Sequence, residues 1–94
     1  MAGYIRAENK QNLKDRLDRV EGQARGIKRM VEREDYCIDI LTQITSLIAA
    51  SEKVATILIK DHLDHCVREA VEKGADPSEK TEEVKAAIER FLRV

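Results

Sequence analysis

The chain has no tryptophan, one phenylalanine and two tyrosines among 94 residues, so aromatic packing cannot build its core. An interior has to come from Leu, Ile, Val and Ala. Proline occurs once and glycine four times, too few for the closely spaced turns of a β-sandwich. With 43% hydrophobic and 37% charged residues, the composition is that of long helices and not of a disordered chain. No apolar run approaches the roughly 20 residues that span a bilayer. The start, "MAGYIRAENK", holds no apolar stretch of the kind that directs secretion. The expectation is a soluble, cytoplasmic protein. Its two cysteines are then expected as thiols with a metal or redox role, not as a structural disulfide.

The length suits one domain spanning residues 1–94. So short a chain made of long helices buries little surface by itself, which points to oligomerisation. Net charge is −1 and says nothing about nucleic acid, but its distribution is uneven. Residues 6–33 carry nine Lys and Arg against five Asp and Glu; residues 34–94 carry eight against thirteen. Charge alone leaves open a surface that faces a polyanion and an ordinary solvated helix face.

Leu13, Leu17, Val20, Ala24, Ile27 and Val31 step by fours and threes, which predicts a helix over about 8–33. Asp35 is placed to cap a second helix. Cys37, Leu41, Ile44, Ile48, Ser51, Ala55, Leu58 and His62 continue the same stepping, and no Gly or Pro intervenes before Gly74. The second helix is therefore expected over about 36–72, with Gly74 just past its end. "DPSE", residues 76–79, starts a third: Asp76 caps, Pro77 takes the first position and Glu79 completes a capping pattern. The fold class is all-α. Gly22 and Gly26 inside the first helix each cost about 1 kcal/mol against alanine, which close helix packing would explain.

His62 and Cys66 in "DHLDHC" stand one helical turn apart and face the same way. Cys37 lies on the same stripe, but 25 residues of straight helix amount to roughly 37 Å. One chain cannot bring the three together. An antiparallel partner helix can, if the two cross near Ala49, Ala50 and Ser51, where small side chains permit close approach. The dimer then holds two identical sites, as two-fold symmetry requires. Two thiolates and an imidazole select copper(I) or zinc. Structural zinc wants a fourth ligand, and none is evident, so trigonal copper(I) fits better. Nickel prefers more nitrogen, and the N-terminal "MAGY" supplies no histidine.

The chain resembles the copper-sensing members (CsoR type) of the CsoR/RcnR family of metal-responsive repressors. The carriers are "RLDRVEGQARGIKRMVE" (16–32), "DYCIDILTQI" (35–44) and "HLDHC" (62–66), within a similarity covering about residues 9–90. The resemblance implies three helices per protomer: two long helices form an antiparallel four-helix bundle in a homodimer, often paired into a homotetramer, and the third is short. It implies a repressor that binds double-stranded operator DNA without metal and releases it on binding copper(I). The family's Cys, His and Cys ligands fall on Cys37, His62 and Cys66. Its Tyr and Glu around the histidine fall on Tyr36 and on Glu83 or Glu82. Its DNA face falls on Arg16 and Lys53, where some relatives carry Arg. Lysine there keeps the charge but loses the bidentate fork. Arg19, Lys14, Lys10 and Gln23 lie near enough to Arg16 to add contacts. No helix-turn-helix is present, so contact with backbone and DNA shape is the expected mode.

Other readings of the same residues are a thiol switch joining Cys37 and Cys66 by a disulfide or persulfide, and a sensor for another metal. Sulfur-sensing relatives keep both cysteines and lack the histidine, so the retained His62 argues for metal. A Cys–His enzyme would need an oxyanion donor and an orienting residue; none is identifiable, and no enzymatic activity, small-molecule substrate or membrane partner is expected. His65 falls off the thiolate side, as an exposed residue or one that supports the ligands. Arg25, Lys28, Arg29 and Arg33 read as a solvated face.

Overall fold

The computed structural model describes residues 5–74 and 78–92, without the side chains of 79–81 and 92. Three helices follow one another, α1 (Ala7–Glu32), α2 (Cys37–Glu72) and α3 (Ser78–Leu92), and no strand occurs among the described residues. The expected all-α fold is observed.

α1 carries Glu8 in its first turn and Arg29 in its last, charges that suit the two ends of the helix dipole. It closes by wrapping its final carbonyls. The Glu34 N–H bonds to the Val31 carbonyl and the Asp35 N–H to the Met30 carbonyl, both at 3.0 Å. Glu34 adopts φ 58°, the left-handed conformation of a helix-terminating position usually given to glycine. Asp35 is consequently not the cap expected from sequence. Its N–H is spent on ending α1, and its carboxylate turns back to Arg33 at 2.8 Å. That hydrogen bond, with the guanidinium charge, holds the Asp35 carboxyl below the ordinary aspartate range. Tyr36 is the residue that opens α2, its carbonyl accepting the N–H groups of Asp39 and Ile40.

α2 runs unbroken for 36 residues. The Thr42, Thr45, Ser51 and Thr56 hydroxyls each donate to the carbonyl four residues back, which satisfies them without interrupting the helix. Gly74 follows its end with φ 67°, its N–H bonded to the Val71 carbonyl, as expected from the sequence. The expected start of α3 at Asp76 and Pro77, and the Glu79 side chain, lie outside the described residues.

The chain falls into two compact units. In the unit 7–56, Leu13 and Val54 are the buried apolar residues, and the Gln23 amide donates to the Ser46 hydroxyl at 3.1 Å, joining α1 to the first half of α2. In the other unit, Cys66, Ala70 and Val84 are buried with Asp61. There the Arg6 N–H bonds to the Asp61 carboxylate.

Much of the periodic apolar surface stays uncovered. Leu17 and Val31 on α1 and Leu41 and Ile48 on α2 are each at least half exposed, and Leu58 is 39% exposed. Full burial of each such side chain is worth about 1.5–3 kcal/mol, so a single chain leaves a large stabilisation unrealised. Close packing within the chain does not explain the glycines of α1. A Cβ at Gly22 would meet nothing within 4 Å, and one at Gly26 only the Arg29 guanidinium at 3.9 Å.

Candidate metal centre and nucleic-acid interface

The His62–Cys66 turn is formed as expected. His62 Nε2 and Cys66 Sγ lie 3.5 Å apart, with Cys66 buried and the imidazole partly covered. A soft ion held by a thiolate at about 2.3 Å and an imidazole at about 2.0 Å keeps its donors roughly 3.5 Å apart at a tetrahedral angle, and slightly farther at a trigonal one. The pair therefore fits two ligands of one soft ion. Helix geometry is the cause: residues four apart share a face, and χ1 directs both side chains toward the helix N-terminus.

A cavity of about 380 Å³ opens beside the imidazole, lined by His62, Leu58, Ile59, Ile5 and, from α3, Glu83, Val84 and Ala87. Glu83 thus shares a cavity with His62; both Glu82 and Glu83 are exposed, but Glu82 does not line the cavity. His65 points elsewhere, with its Nε2 3.2 Å from a Glu69 carboxylate oxygen. The other oxygen of that carboxylate pairs with Lys73 at 2.7 Å. Those partners, Lys73 foremost, hold the Glu69 carboxyl below the ordinary glutamate range.

Cys37 is the first residue of α2 and is exposed, as is Tyr36 before it. The unbroken helix separates Cys37 from His62 by the 25 residues counted above. Among the described residues, no three His, Cys, Asp or Glu side chains of the chain gather into a group able to hold a metal.

The second constellation lies in the unit 7–56. Arg16, Arg19 and Gln23 of α1 line a cavity of about 460 Å³ together with Ala50 of α2. The Arg16 Nε is buried and has no hydrogen-bond partner among the described residues. Two guanidinium groups and an amide around one opening suit an oxyanion such as a DNA phosphate. Lys10, Lys14 and Lys53 are exposed and do not line this cavity. Arg25 is engaged with Glu21 at 2.9 Å, as a solvated helix face would have it. Ser46 and Asp61 were not identified from sequence. A lone serine and one aspartate among 18 acidic residues carry no local signal, because their partners lie far along the chain.

A family described as metal-sensitive transcriptional repressor matches residues 9–90. The copper-sensing transcriptional repressor RicR of Mycobacterium tuberculosis is 48% identical over 92 residues, covering 97% of this chain and 94% of that protein. The copper-sensing transcriptional repressor CsoR of Bacillus subtilis is 40% identical over 87 residues, covering 93% and 85%. Among solved structures, the copper-sensing repressor CsoR with Cu(I) from Geobacillus thermodenitrificans superposes with a TM-score of 0.82 at 36% identity, covering 99% of each chain. The nickel-responsive transcriptional regulator InrS superposes with a TM-score of 0.76 at 35% identity, covering 88% of this chain and 92% of its own. A match running from the start of α1 nearly to the end of α3 leaves no element unaccounted for, and the chain belongs to the family of metal-sensitive transcriptional repressors.

Proposed function

We propose that this protein is a copper(I)-responsive transcriptional repressor: metal-free it binds double-stranded operator DNA, and copper(I) releases it. The ligands are Cys37 of one protomer with His62 and Cys66 of the partner subunit, two sites per homodimer. The observation that carries this reading is the His62–Cys66 pair, preset at 3.5 Å on the same unbroken helix that begins with Cys37. An antiparallel α2 pairing that crosses near Ala49, Ala50 and Ser51 supplies the missing thiolate. It also covers the exposed stripe residues Leu41, Ile48 and Leu58 inside a four-helix bundle, which can pair again into a tetramer.

The donor set favours copper(I). Two thiolates and an imidazole are soft ligands, and the relatives named as copper sensors support the choice. The nickel-responsive relative has a similar fold, so fold alone does not select the metal. Glu83, on the His62 cavity, suits the second imidazole nitrogen, since a carboxylate there fixes ring orientation and raises ligand basicity. Glu82 is the less favoured of the two, and Tyr36 adjoins the site from the other protomer beside Cys37.

On the DNA side, Arg16 with Arg19 and Gln23 forms the phosphate-contacting centre, and Lys10, Lys14 and Lys53 add positive charge around it. Copper(I) joins two protomers, so its binding biases their relative geometry and with it the DNA face carried on the same helices. Moving a two-state population from 1:99 to 99:1 takes about 5.5 kcal/mol of differential affinity. Linkage requires DNA to weaken copper binding by the same factor. The protein is in this reading a single cytoplasmic domain without enzymatic activity, membrane attachment or a small-molecule substrate.

The test uses a duplex selected from a random pool by the metal-free protein. Anisotropy is followed as anaerobic copper(I), nickel(II), zinc(II) or an inorganic polysulfide is added. Release by copper(I) near one equivalent per protomer is the expected result. Release by polysulfide alone would assign the cysteines to a thiol switch, and release by nickel alone would overturn the metal assignment.

A further inference from the structure

Asp61 is the buried charged side chain among the described residues, 3% exposed, and it immediately precedes His62. A carboxylate buried to that degree is costly unless donors meet it. Its Oδ2 accepts the backbone N–H of Arg6 at 3.1 Å, across 55 residues of sequence. Arg6 is the residue directly before α1, so the group being satisfied is the N–H of that helix's cap. In a capping box, a Glu or Gln three residues into the same helix supplies the acceptor for this N–H. Here α2 supplies it from the turn that bears the metal ligand. Asp64, three residues on, adds only an exposed pairing with the Arg6 guanidinium at 4.0 Å, which solvent screens. Ile5, on the other side of Arg6, lines the same cavity as His62 and Glu83.

We infer that Asp61 is a positioning residue for the metal response: by holding the Arg6 N–H, it ties the start of α1 to the His62 turn of α2. The inference rests on the copper-responsive reading above. Its consequence is a backbone route from the ligand turn to the DNA face. Arg16 lies ten residues beyond Arg6, on the helix whose first N–H this bond holds. This route runs through residues 5 and 6 and does not involve α3.

Four variants separate the backbone bond from everything else near it. Arg6→Pro deletes the N–H and leaves the carboxylate; Arg6→Ala keeps the N–H and deletes the guanidinium. Asp61→Ala deletes the acceptor; Asp61→Asn keeps an acceptor oxygen. Each is measured for anaerobic copper(I) affinity by chelator competition, for metal-free affinity to the selected duplex, and for the coupling factor, the ratio of duplex affinities without and with copper(I). Arg6→Pro and Asp61→Ala are expected to lose about tenfold or more of the coupling factor while both separate affinities stay within about threefold of wild type. Arg6→Ala and Asp61→Asn are expected to couple like wild type. Wild-type coupling in Arg6→Pro overturns the inference. So does a fall in copper affinity that accounts for the whole effect, because Asp61 would then merely support His62. Should Asp61→Ala fail to fold, Arg6→Pro decides alone. A wild-type protein that holds DNA equally well with and without copper(I) refutes the copper reading itself, and is seen before any variant is made.

Discussion

The most demanding consequence of the proposed centre is that every site needs two chains. α2 is continuous from Cys37 to Glu72, and at 1.5 Å per residue Cys37 stands roughly 37 Å from His62. Donors on one ion are separated by only about 4 Å, so no side-chain rearrangement closes that gap within one helix. Consider Cys37→Ala and the double variant His62→Ala with Cys66→Ala. Neither homodimer has a complete site. In the mixed dimer, one end unites all three substituted positions and is dead, and the other unites all three intact ligands and is wild type. Unfolding and refolding an equal mixture gives about half mixed dimers if assembly is random, which amounts to about one copper(I) site per four protomers. Parents refolded alone give none. With different affinity tags, the mixed dimer can be isolated and titrated anaerobically against a chelator, where about one site per dimer is expected. A purified mixed dimer as empty as its parents would refute the shared site, and with it the antiparallel pairing of α2.

The remaining predictions concern the DNA face and the α1–α2 junction. Arg16→Ala should weaken binding to the selected duplex without changing copper(I) affinity, and lower the slope of log affinity against log salt by about one unit, because one phosphate fewer is neutralised; an unaltered slope places the phosphate-binding group elsewhere. Glu34 holds φ 58°, so Glu34→Gly should relieve strain and raise unfolding stability in urea by roughly 1 kcal/mol, whereas equal or lower stability would show that the position is not strained. The Asp35 carboxyl is held below its ordinary value first by the Arg33 hydrogen bond. A depressed folded-state value means that this pair stabilises the fold above the unfolded aspartate value of about 3.9, and that the contribution fades as pH falls through the lower folded value. Asp35→Asn should therefore reduce stability near pH 6 and shrink the difference from wild type on acidification toward pH 3; a difference that does not vary with pH would remove the Arg33–Asp35 pair as its cause.

The sequence by itself determined what depends on neighbours a few residues away. The stepping of apolar residues set the long helices, Gly74 marked the end of α2 through its freedom to adopt positive φ, and the four-residue spacing put His62 beside Cys66. The spacing of Arg16, Arg19 and Gln23 likewise put them on one face, and the structure gathers them around one cavity. Even locally there was one competition that pattern could not decide. Asp35 suited a cap by residue type, but its N–H was already committed to ending α1 and its carboxylate to Arg33. Tertiary structure decided the rest. Only the packing of α3 put Glu83, and not its neighbour Glu82, on the His62 cavity. Only chain folding put the Arg6 N–H on a carboxylate 55 residues away. It also left Leu17, Leu41 and Ile48 at least half exposed on stripes that periodicity alone would have taken for a core. Periodicity states which side chains share a face, whereas burial depends on what packs against that face, and one chain of this length has too little surface to cover all that it presents.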